Sequence, residues 1–133
     1  MRYNLFIGRF QSPHLGHMEL FDAFLKQGKP VLIAVRDVHN SNDILSSEEV
    51  KDLLETIYKD NPLVKVMIIP DIDSVNYGRA VGYDVNEIHL AVKTEAISAT
   101  YIKNCIINDI DEWKEYVAPQ IHEKLETYIK AKF

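Results

Sequence analysis

Blocks of apolar residues along the chain predict an α/β fold. Residues 3–8, 30–35 and 64–69 are short apolar runs with the composition of buried strands. Between them, apolar residues recur at helical spacing over 15–26 and again after Ser46 or Ser47, where Glu48 and Glu49 favour a helix start. Strands that alternate with helices predict a parallel sheet covered by helices. We therefore expect one three-layer α/β domain.

The second half of the chain has a less regular pattern. A polar loop is predicted over 39–43, a short fourth strand over 85–92, and a helix that begins at Ser98. Residues 111–132 predict a long amphipathic helix, interrupted or restarted at Pro119. A stripe of this kind is typical of a core or an oligomer face, and we expect a homo-oligomer. The stripe consists of Trp113, Tyr116, Val117, Ile121, Leu125, Tyr128 and Ile129.

Length and composition narrow the class of protein. With 133 residues, 47% of them hydrophobic, the chain fits one domain over 1–133 with a C-terminal helical segment from about 108 to 133. No apolar run approaches the roughly 18–20 residues of a membrane span, so no membrane partner is expected. A net charge of −5 argues against a nucleic-acid partner. Cys105 is the only cysteine, so we expect no internal disulfide and a cytoplasmic location.

The loop after the first predicted strand has the features of an anion site. Residues 8–17 read GRFQSPHLGH, and ligands of parallel sheets bind beyond the carboxyl ends of the strands. Gly8 would let a ligand approach the backbone. His14 and His17 share one face of the first helical turn, where free N–H groups and imidazole donors can bind phosphate. The alternatives are a structural histidine, a metal-binding pair and a simple turn glycine.

A second stretch also combines phosphate-binding residue types. Residues 97–103 read ISATYIK. Ser98 and Thr100 place hydroxyl groups at a predicted helix start, and Lys103 adds a positive charge on the first turns. Together they could form a cradle for phosphate. Helix capping alone would also explain the hydroxyl groups.

These two stretches resemble the motifs of a known superfamily. Residues 8–17 resemble the G-R-F-Q-P-x-H-x-G-H signature of nicotinamide mononucleotide adenylyltransferases, and the H-x-G-H core is similar to that of the wider cytidylyltransferase-like nucleotidyltransferases. Residues 97–103 resemble the superfamily motif I-S-x-T-x-x-[RK]. Ser12 stands where the adenylyltransferases more often have Pro, and Lys103 stands where Arg is usual. The resemblance implies a Rossmann-like fold of the nucleotidyltransferase type.

The resemblance also implies a reaction and a set of site residues. A nucleotidyl group would pass from a nucleoside triphosphate to a phosphate-bearing acceptor, with release of pyrophosphate. His17 would contact the α-phosphate, while His14, Ser98, Thr100 and Lys103 would hold the β- and γ-phosphates, which Mg²⁺ would bridge. Catalytic candidates are thus His14, His17 and Lys103, and no resident metal site is predicted. Nucleotide-binding candidates are Gly8, Arg9, Phe10, His14, Gly16, His17, Ile97, Ser98, Thr100 and Lys103.

Two branches of the superfamily compete for the substrate assignment. IPDI at 69–72 and GYDV at 82–85 resemble segments of microbial nicotinamide mononucleotide enzymes, which favours transfer of AMP from ATP to a nicotinamide mononucleotide-like acceptor. KTEAISAT at 93–100 resembles the R-T-E-G-I-S-T-T stretch of glycerol-3-phosphate cytidylyltransferases, so a CTP-dependent enzyme acting on glycerol 3-phosphate or a similar small phosphate is the alternative. The interval from 72 to 85 lacks the Trp that stacks on nicotinamide. A non-catalytic nucleotide-binding module is a second alternative.

The acceptor would bind near the same sheet edge. Arg79 could hold its phosphate and Tyr77 could stack on a ring, whereas Arg36 could pair with Asp37 or contact the acceptor. Surface loop residues without a role are the alternative interpretation. The acceptor-binding candidates are Arg36, Asp37, Tyr77, Arg79 and Tyr83.

Overall fold

The structure is a computed structural model, and it describes residues 1–38, 44–79, 82–86 and 98–133. The predicted polar loop over 39–43 lies outside the described residues, as does Ile97. Of the predicted strand over 85–92, only Val85 and Asn86 are described, and these two have no regular secondary structure.

Three parallel strands form the sheet. They are β1 (Asn4–Gly8), β2 (Val31–Asp37) and β3 (Val64–Pro70), in the order β1-β2-β3. The register sets Gly8 beside Val35 in β2. Because the strands are parallel, their carboxyl ends meet at one edge, which we call the carboxyl edge. The second strand runs two residues further than predicted, since its last two residues pair with β3.

Two helices connect these strands and cover one face of the sheet. They are α1 (Leu15–Leu25) and α2 (Ser47–Ile57). Phe6 of β1 packs edge-to-face on Phe21 and Phe24 of α1, with ring centroids 5.2 Å apart in both pairs. The register aligns Phe6 with Ile33 and Val66, which are both buried. The α/β, Rossmann-like fold class with a parallel sheet and flanking helices is therefore confirmed.

The opposite face of the sheet is more open within the part of the chain that is described. Leu5 and Met67 point to that face, and they are 52% and 39% exposed. Ala34, beside Met67 in the register, is buried. The two faces of the sheet therefore differ, and the direction in which a strand side chain points decides its surroundings.

Predicted capping residues start two of the helices. The hydroxyl of Ser46 accepts a hydrogen bond from the backbone N–H of Glu49 at 3.1 Å, and the Glu49 carboxylate accepts one from the Ser46 N–H at 2.9 Å. This reciprocal pair is a capping box at the start of α2. Ser98 caps helix α3 (Ala99–Ile107) by accepting a hydrogen bond from the Tyr101 N–H at 3.0 Å.

For the long amphipathic helix predicted over 111–132 with an interruption or restart at Pro119, the break is confirmed, but an α-helix before it is wrong. Asp111–Tyr116 and Pro119–Ile121 are short 3-10 helices, and only α4 (His122–Lys132) is an α-helix. A proline disfavours the α conformation for the residue before it. Ala118 accordingly has a ψ of 134°, which breaks the helix where the sequence places the proline.

The apolar stripe of the C-terminal segment belongs to the core of the chain. Five of its residues are at most 1% exposed: Trp113, Val117, Ile121, Leu125 and Ile129. The segment also docks on α2, because Tyr128 Oη and Lys124 Nζ both donate hydrogen bonds to Asp52, at 2.6 and 3.1 Å. The stripe is therefore a core surface, and the homo-oligomer that we expected from it stays a prediction. In the described part of the chain, no helix has the length and apolar character to cross a membrane.

Candidate active site

The β1–α1 loop owes its shape to a ring that lies against a glycine. Phe10 and Ser12 have φ values of 48° and 50°, a left-handed conformation that residues with a side chain rarely adopt. The turn brings the Phe10 ring onto Gly8, where a Cβ would lie 2.9 Å from Phe10 Cζ. Glycine is therefore required for this contact. The expected space for a ligand on that side of Gly8 is filled by Phe10.

Phe10 also supports one of the two histidines of the loop. Its ring meets the His17 ring edge-to-face at 5.1 Å and the Phe21 ring at 5.6 Å, and the residue is 9% exposed. The side chain thus belongs to the core. Any contact of Phe10 with a nucleotide is left to its backbone.

Gln11 joins this loop to the segment before α2. Its Oε1 accepts hydrogen bonds from the backbone N–H groups of Ile44 and Leu45 at 3.0 and 2.8 Å, and its Nε2 donates to the Leu45 carbonyl at 2.8 Å. Sequence analysis gave this residue no role beyond its place in the motif. The amide satisfies backbone groups that no local element would satisfy.

His14 and His17 build the capping box of α1. His14 is the N-cap, and its Nδ1 accepts a hydrogen bond from the Gly16 N–H at 3.0 Å. Three residues on, His17 Nδ1 accepts one from the His14 N–H at 3.2 Å. The two rings stack with their centroids 3.9 Å apart. Two imidazoles thus do what Ser or Thr and Glu usually do at a helix start.

These hydrogen bonds fix which nitrogen of each ring carries the proton. Because Nδ1 of His14 and of His17 is an acceptor, the neutral rings must carry their proton on Nε2. Burial lowers the pKa of His14 from 6.5 to about 4. Burial, with a smaller contribution from His14, lowers the pKa of His17 to about 3. At neutral pH the pair offers two uncharged N–H donors beside the free N–H groups of a helix start.

The second predicted stretch begins helix α3. Ser98 is its N-cap, and Thr100 is exposed on the first turn. The Lys103 ammonium lies over the Phe133 ring, 4.8 Å from its centroid. Within the described residues, no hydrogen bond, ion pair or ring contact joins either histidine of the loop to these three site candidates. That the two stretches share one site stays a prediction.

Charged residues at the carboxyl edge pair differently from the expectation. Arg36 donates from Nε and Nη2 to Asp71 Oδ1, at 3.1 and 2.6 Å. Asp37 accepts a hydrogen bond from the Ser47 hydroxyl at 2.9 Å. Of the two alternatives for Arg36, pairing with Asp37 is not what the structure shows, because successive strand residues point to opposite faces of the sheet; contact with the acceptor stays a prediction. Asp37 faces α2, and Arg36 points to the more open face.

Asp71 is the edge residue that sequence analysis did not select. The Arg36 guanidinium and the Ile72 N–H hold the pKa of the Asp71 carboxyl below its usual range, and Arg9 lowers it further. Arg9 therefore lies within electrostatic reach of the Arg36–Asp71 pair. The available signal was the position of Asp71 directly after β3, at the same edge as the histidine loop.

The other acceptor candidates lie on the surface. Tyr77 and Tyr83 are 58% and 64% exposed, and their ring centroids are 6.4 Å apart. Arg79 is exposed in the same irregular segment. The structure thus brings the two tyrosines together, as a common aromatic surface.

The described residues contain no group of three or more His, Cys, Asp or Glu that could hold a metal ion. Mg²⁺ prefers to keep water ligands and to bind through substrate phosphates with one or two carboxylates. The Mg²⁺ ion that the resemblance implies, bound with the triphosphate, stays a prediction.

The fold and the loop define a class: a Rossmann-like α/β domain whose first helix begins with a histidine capping box at the carboxyl edge of the sheet. A protein-family model described as cytidylyltransferase-like matches residues 5–126, nearly the whole chain. The chain belongs to the cytidylyltransferase-like family, and membership supports a nucleotidyltransferase activity in general. A comparison with curated proteins finds no match.

The neutral histidine pair, of which His14 is buried and His17 half-buried, makes stability depend on pH. In the unfolded chain each histidine takes up a proton below about pH 6.5, whereas the folded pair stays neutral down to about pH 4, so the free energy of unfolding falls as the pH falls. Going from pH 7 to 5.5, the two residues should remove about 2–3 kcal/mol of stability.

The control is the double variant His14→Asn/His17→Gln, which keeps a capping box of residues that do not titrate. Urea denaturation of both proteins at the two pH values measures the difference. An equal loss of stability in both would contradict the neutrality of the folded pair.

Proposed function

We propose that this protein transfers AMP from ATP to a phosphate-bearing acceptor, of the kind represented by nicotinamide mononucleotide, and releases pyrophosphate. The observation that carries the proposal is the capping box of α1, in which His14 and His17 are held as neutral Nε2–H donors. Family membership supports nucleotidyl transfer, and the nucleotide and acceptor are our inference.

The reaction requires positioning more than proton transfer. An oxygen of the acceptor phosphate attacks the α-phosphorus in line, the bond from that phosphorus to the β-phosphate oxygen breaks, and pyrophosphate leaves with the electron pair. The nucleophile is already an anion, so no protein base is needed. The chain has to bring two anions together and to stabilise charge on the oxygens around the α-phosphorus.

The residues divide this task. His17, whose ring is fixed by Phe10, would donate its Nε2–H to an α-phosphate oxygen, where charge develops. His14 and the start of α1 would hold the β- and γ-phosphates, with the hydroxyls and Lys103 of the second stretch. Mg²⁺ would enter bound to the triphosphate and would neutralise part of its charge.

Two neighbouring aromatic rings favour an acceptor that itself carries a ring. Tyr77 and Tyr83 expose more than half of their surface beside each other, which suits stacking on a flat heterocycle. Glycerol 3-phosphate has no such ring. CTP-dependent transfer to glycerol 3-phosphate remains the second candidate, because residues 93–100 resemble that branch.

The direct test is pyrophosphate release from purified protein. ATP and CTP are each combined with nicotinamide mononucleotide and with glycerol 3-phosphate, in the presence of Mg²⁺. We expect release with ATP and nicotinamide mononucleotide. Release in the combinations with CTP but not in those with ATP would overturn the adenylyl assignment. Nucleotide binding without release in any combination would favour a non-catalytic module.

The donor role of His17 can be separated from its capping role. His17→Glu keeps an acceptor at the third helical position, as in an ordinary capping box, but replaces the N–H donor with a carboxylate that also repels the triphosphate, whereas His17→Ala removes the donor without adding a charge. We expect turnover to fall roughly a hundred- to a thousandfold, as on loss of a donor to a developing charge. His17→Ala should lose as much turnover and about 1 kcal/mol of stability besides.

The matched control is His122→Ala, because His122 lies at the start of α4 and contacts the Val117 carbonyl. It should keep its turnover. Comparable turnover of His17→Glu and the unaltered protein would remove His17 from the mechanism.

Lys103 should act mainly on triphosphate binding. The cation–π contact with Phe133 is weak enough, at about 0.5–1 kcal/mol, for a triphosphate to take over the ammonium. Lys103→Ala should therefore raise the KM for ATP severalfold, with a smaller effect on kcat. Lys114→Ala, which removes a lysine that also lies over an aromatic ring, is the control. An unchanged KM for ATP in Lys103→Ala would contradict the assignment.

A further inference from the structure

The Arg36–Asp71 ion pair stands at the carboxyl edge. One oxygen, Asp71 Oδ1, accepts all three hydrogen bonds: from Arg36 Nε at 3.1 Å, from Arg36 Nη2 at 2.6 Å, and from the Ile72 N–H at 2.9 Å. The side chains are 32% and 52% exposed. The pair is thus well formed but open to solvent.

The pair lies at the same edge of the sheet as the start of the histidine loop. Gly8, the last residue of β1, lies beside Val35, so Arg36 is the first residue of β2 beyond that level. Asp71 follows the last residue of β3 at the same edge. Arg9, which opens the histidine loop, acts electrostatically on Asp71. Arg36 therefore presents its guanidinium at the edge from which the histidine loop starts.

An ion pair of this exposure is easily exchanged. Water solvates both charges, so such pairs contribute little to stability. A guanidinium binds a phosphate dianion through two parallel hydrogen bonds, which is a stronger interaction than one carboxylate oxygen provides. If the carboxylate of a ligand displaced Asp71, one guanidinium–carboxylate interaction would replace another, and little binding free energy would be gained. The exchange therefore favours phosphate over carboxylate.

We infer that Asp71 competes with the phosphate of the acceptor for Arg36. The Asp71 carboxylate binds the Arg36 guanidinium in the free protein, and a phosphate monoester displaces it. This inference rests on the proposed function for the identity of the bound molecule. Arg36 then binds the acceptor phosphate, and Asp71 sets the selectivity of the site. A ligand is accepted only if it binds the guanidinium more tightly than a carboxylate does.

Binding by isothermal calorimetry tests the exchange without turnover. The probes are nicotinamide mononucleotide, glycerol 3-phosphate and inorganic phosphate. Asp71→Asn keeps an acceptor for the Ile72 N–H and removes the competing charge, so it should bind a phosphate probe about two- to fivefold more tightly. The gain should shrink at high salt. Arg36→Gln should weaken binding of the same probe at least tenfold.

Asp109→Asn is the control, because it breaks the exposed ion pair with Lys130 at the far end of α3. It should leave phosphate affinity unchanged. Binding of a phosphate probe to Asp71→Asn that is equal to or weaker than binding to the unaltered protein would overturn the inference. So would the absence of binding of every probe to both of these proteins. If phosphate binds with this pattern but no pyrophosphate is released, the proposed function is wrong and the inference about Asp71 stands.

Discussion

Two hydrogen bonds from backbone N–H groups to imidazole nitrogens hold the candidate site together. They start α1 and fix the protons of His14 and His17 on Nε2, while desolvation of the rings keeps both neutral. A box of Ser and Glu would cap the helix equally well. It would also place a carboxylate where an anion is to bind. Histidine at both positions turns an ordinary helix start into a pair of uncharged donors.

The rest of the loop serves the same pair. Phe10 can press its ring on His17 because Gly8 has no side chain and because Phe10 itself adopts a left-handed backbone. Gln11 fixes the other side of the loop by binding the backbone before α2. The backbone strain at Phe10 is therefore balanced by packing and hydrogen bonds on either side of it. A loop supported on both sides in this way is expected where the hydrogen-bond donor, here the Nε2–H of His17, has to keep a fixed orientation.

The elements that the sequence predicts well are those with local causes. Ser46 with Glu49, and Ser98 before its helix, are capping signals within three residues, and both helices begin there. The break before Pro119 also has a local cause, whereas the 3-10 geometry of Asp111–Tyr116, whose Trp113 is buried in the core, has no local signal in the sequence.

At the site, motif spacing predicted a shared helical face for the histidines but not their tautomers. The partner of Arg36 depends on strand register and lies 35 residues away, although the alternation of side chains along β2 already argues against Asp37. The left-handed backbone of Phe10 has no sequence signal, because the residue is not a glycine. The contact that explains Gly8 was therefore beyond the sequence.

A chain with a net charge of −5 that joins two anions has to attract anions at its site, although the chain as a whole is acidic. Neutral imidazoles and helix N–H groups supply attraction without adding charge, and the charge of Arg36 is balanced by Asp71 in the free protein. Unpaired cations gathered at this edge would repel one another before any ligand arrived, and they would bind anions of every kind. Uncharged donors, and a cation whose carboxylate partner a ligand can displace, avoid both the repulsion and the unselective binding. In our proposal, attraction at the site then grows only as the correct phosphate takes the place of Asp71.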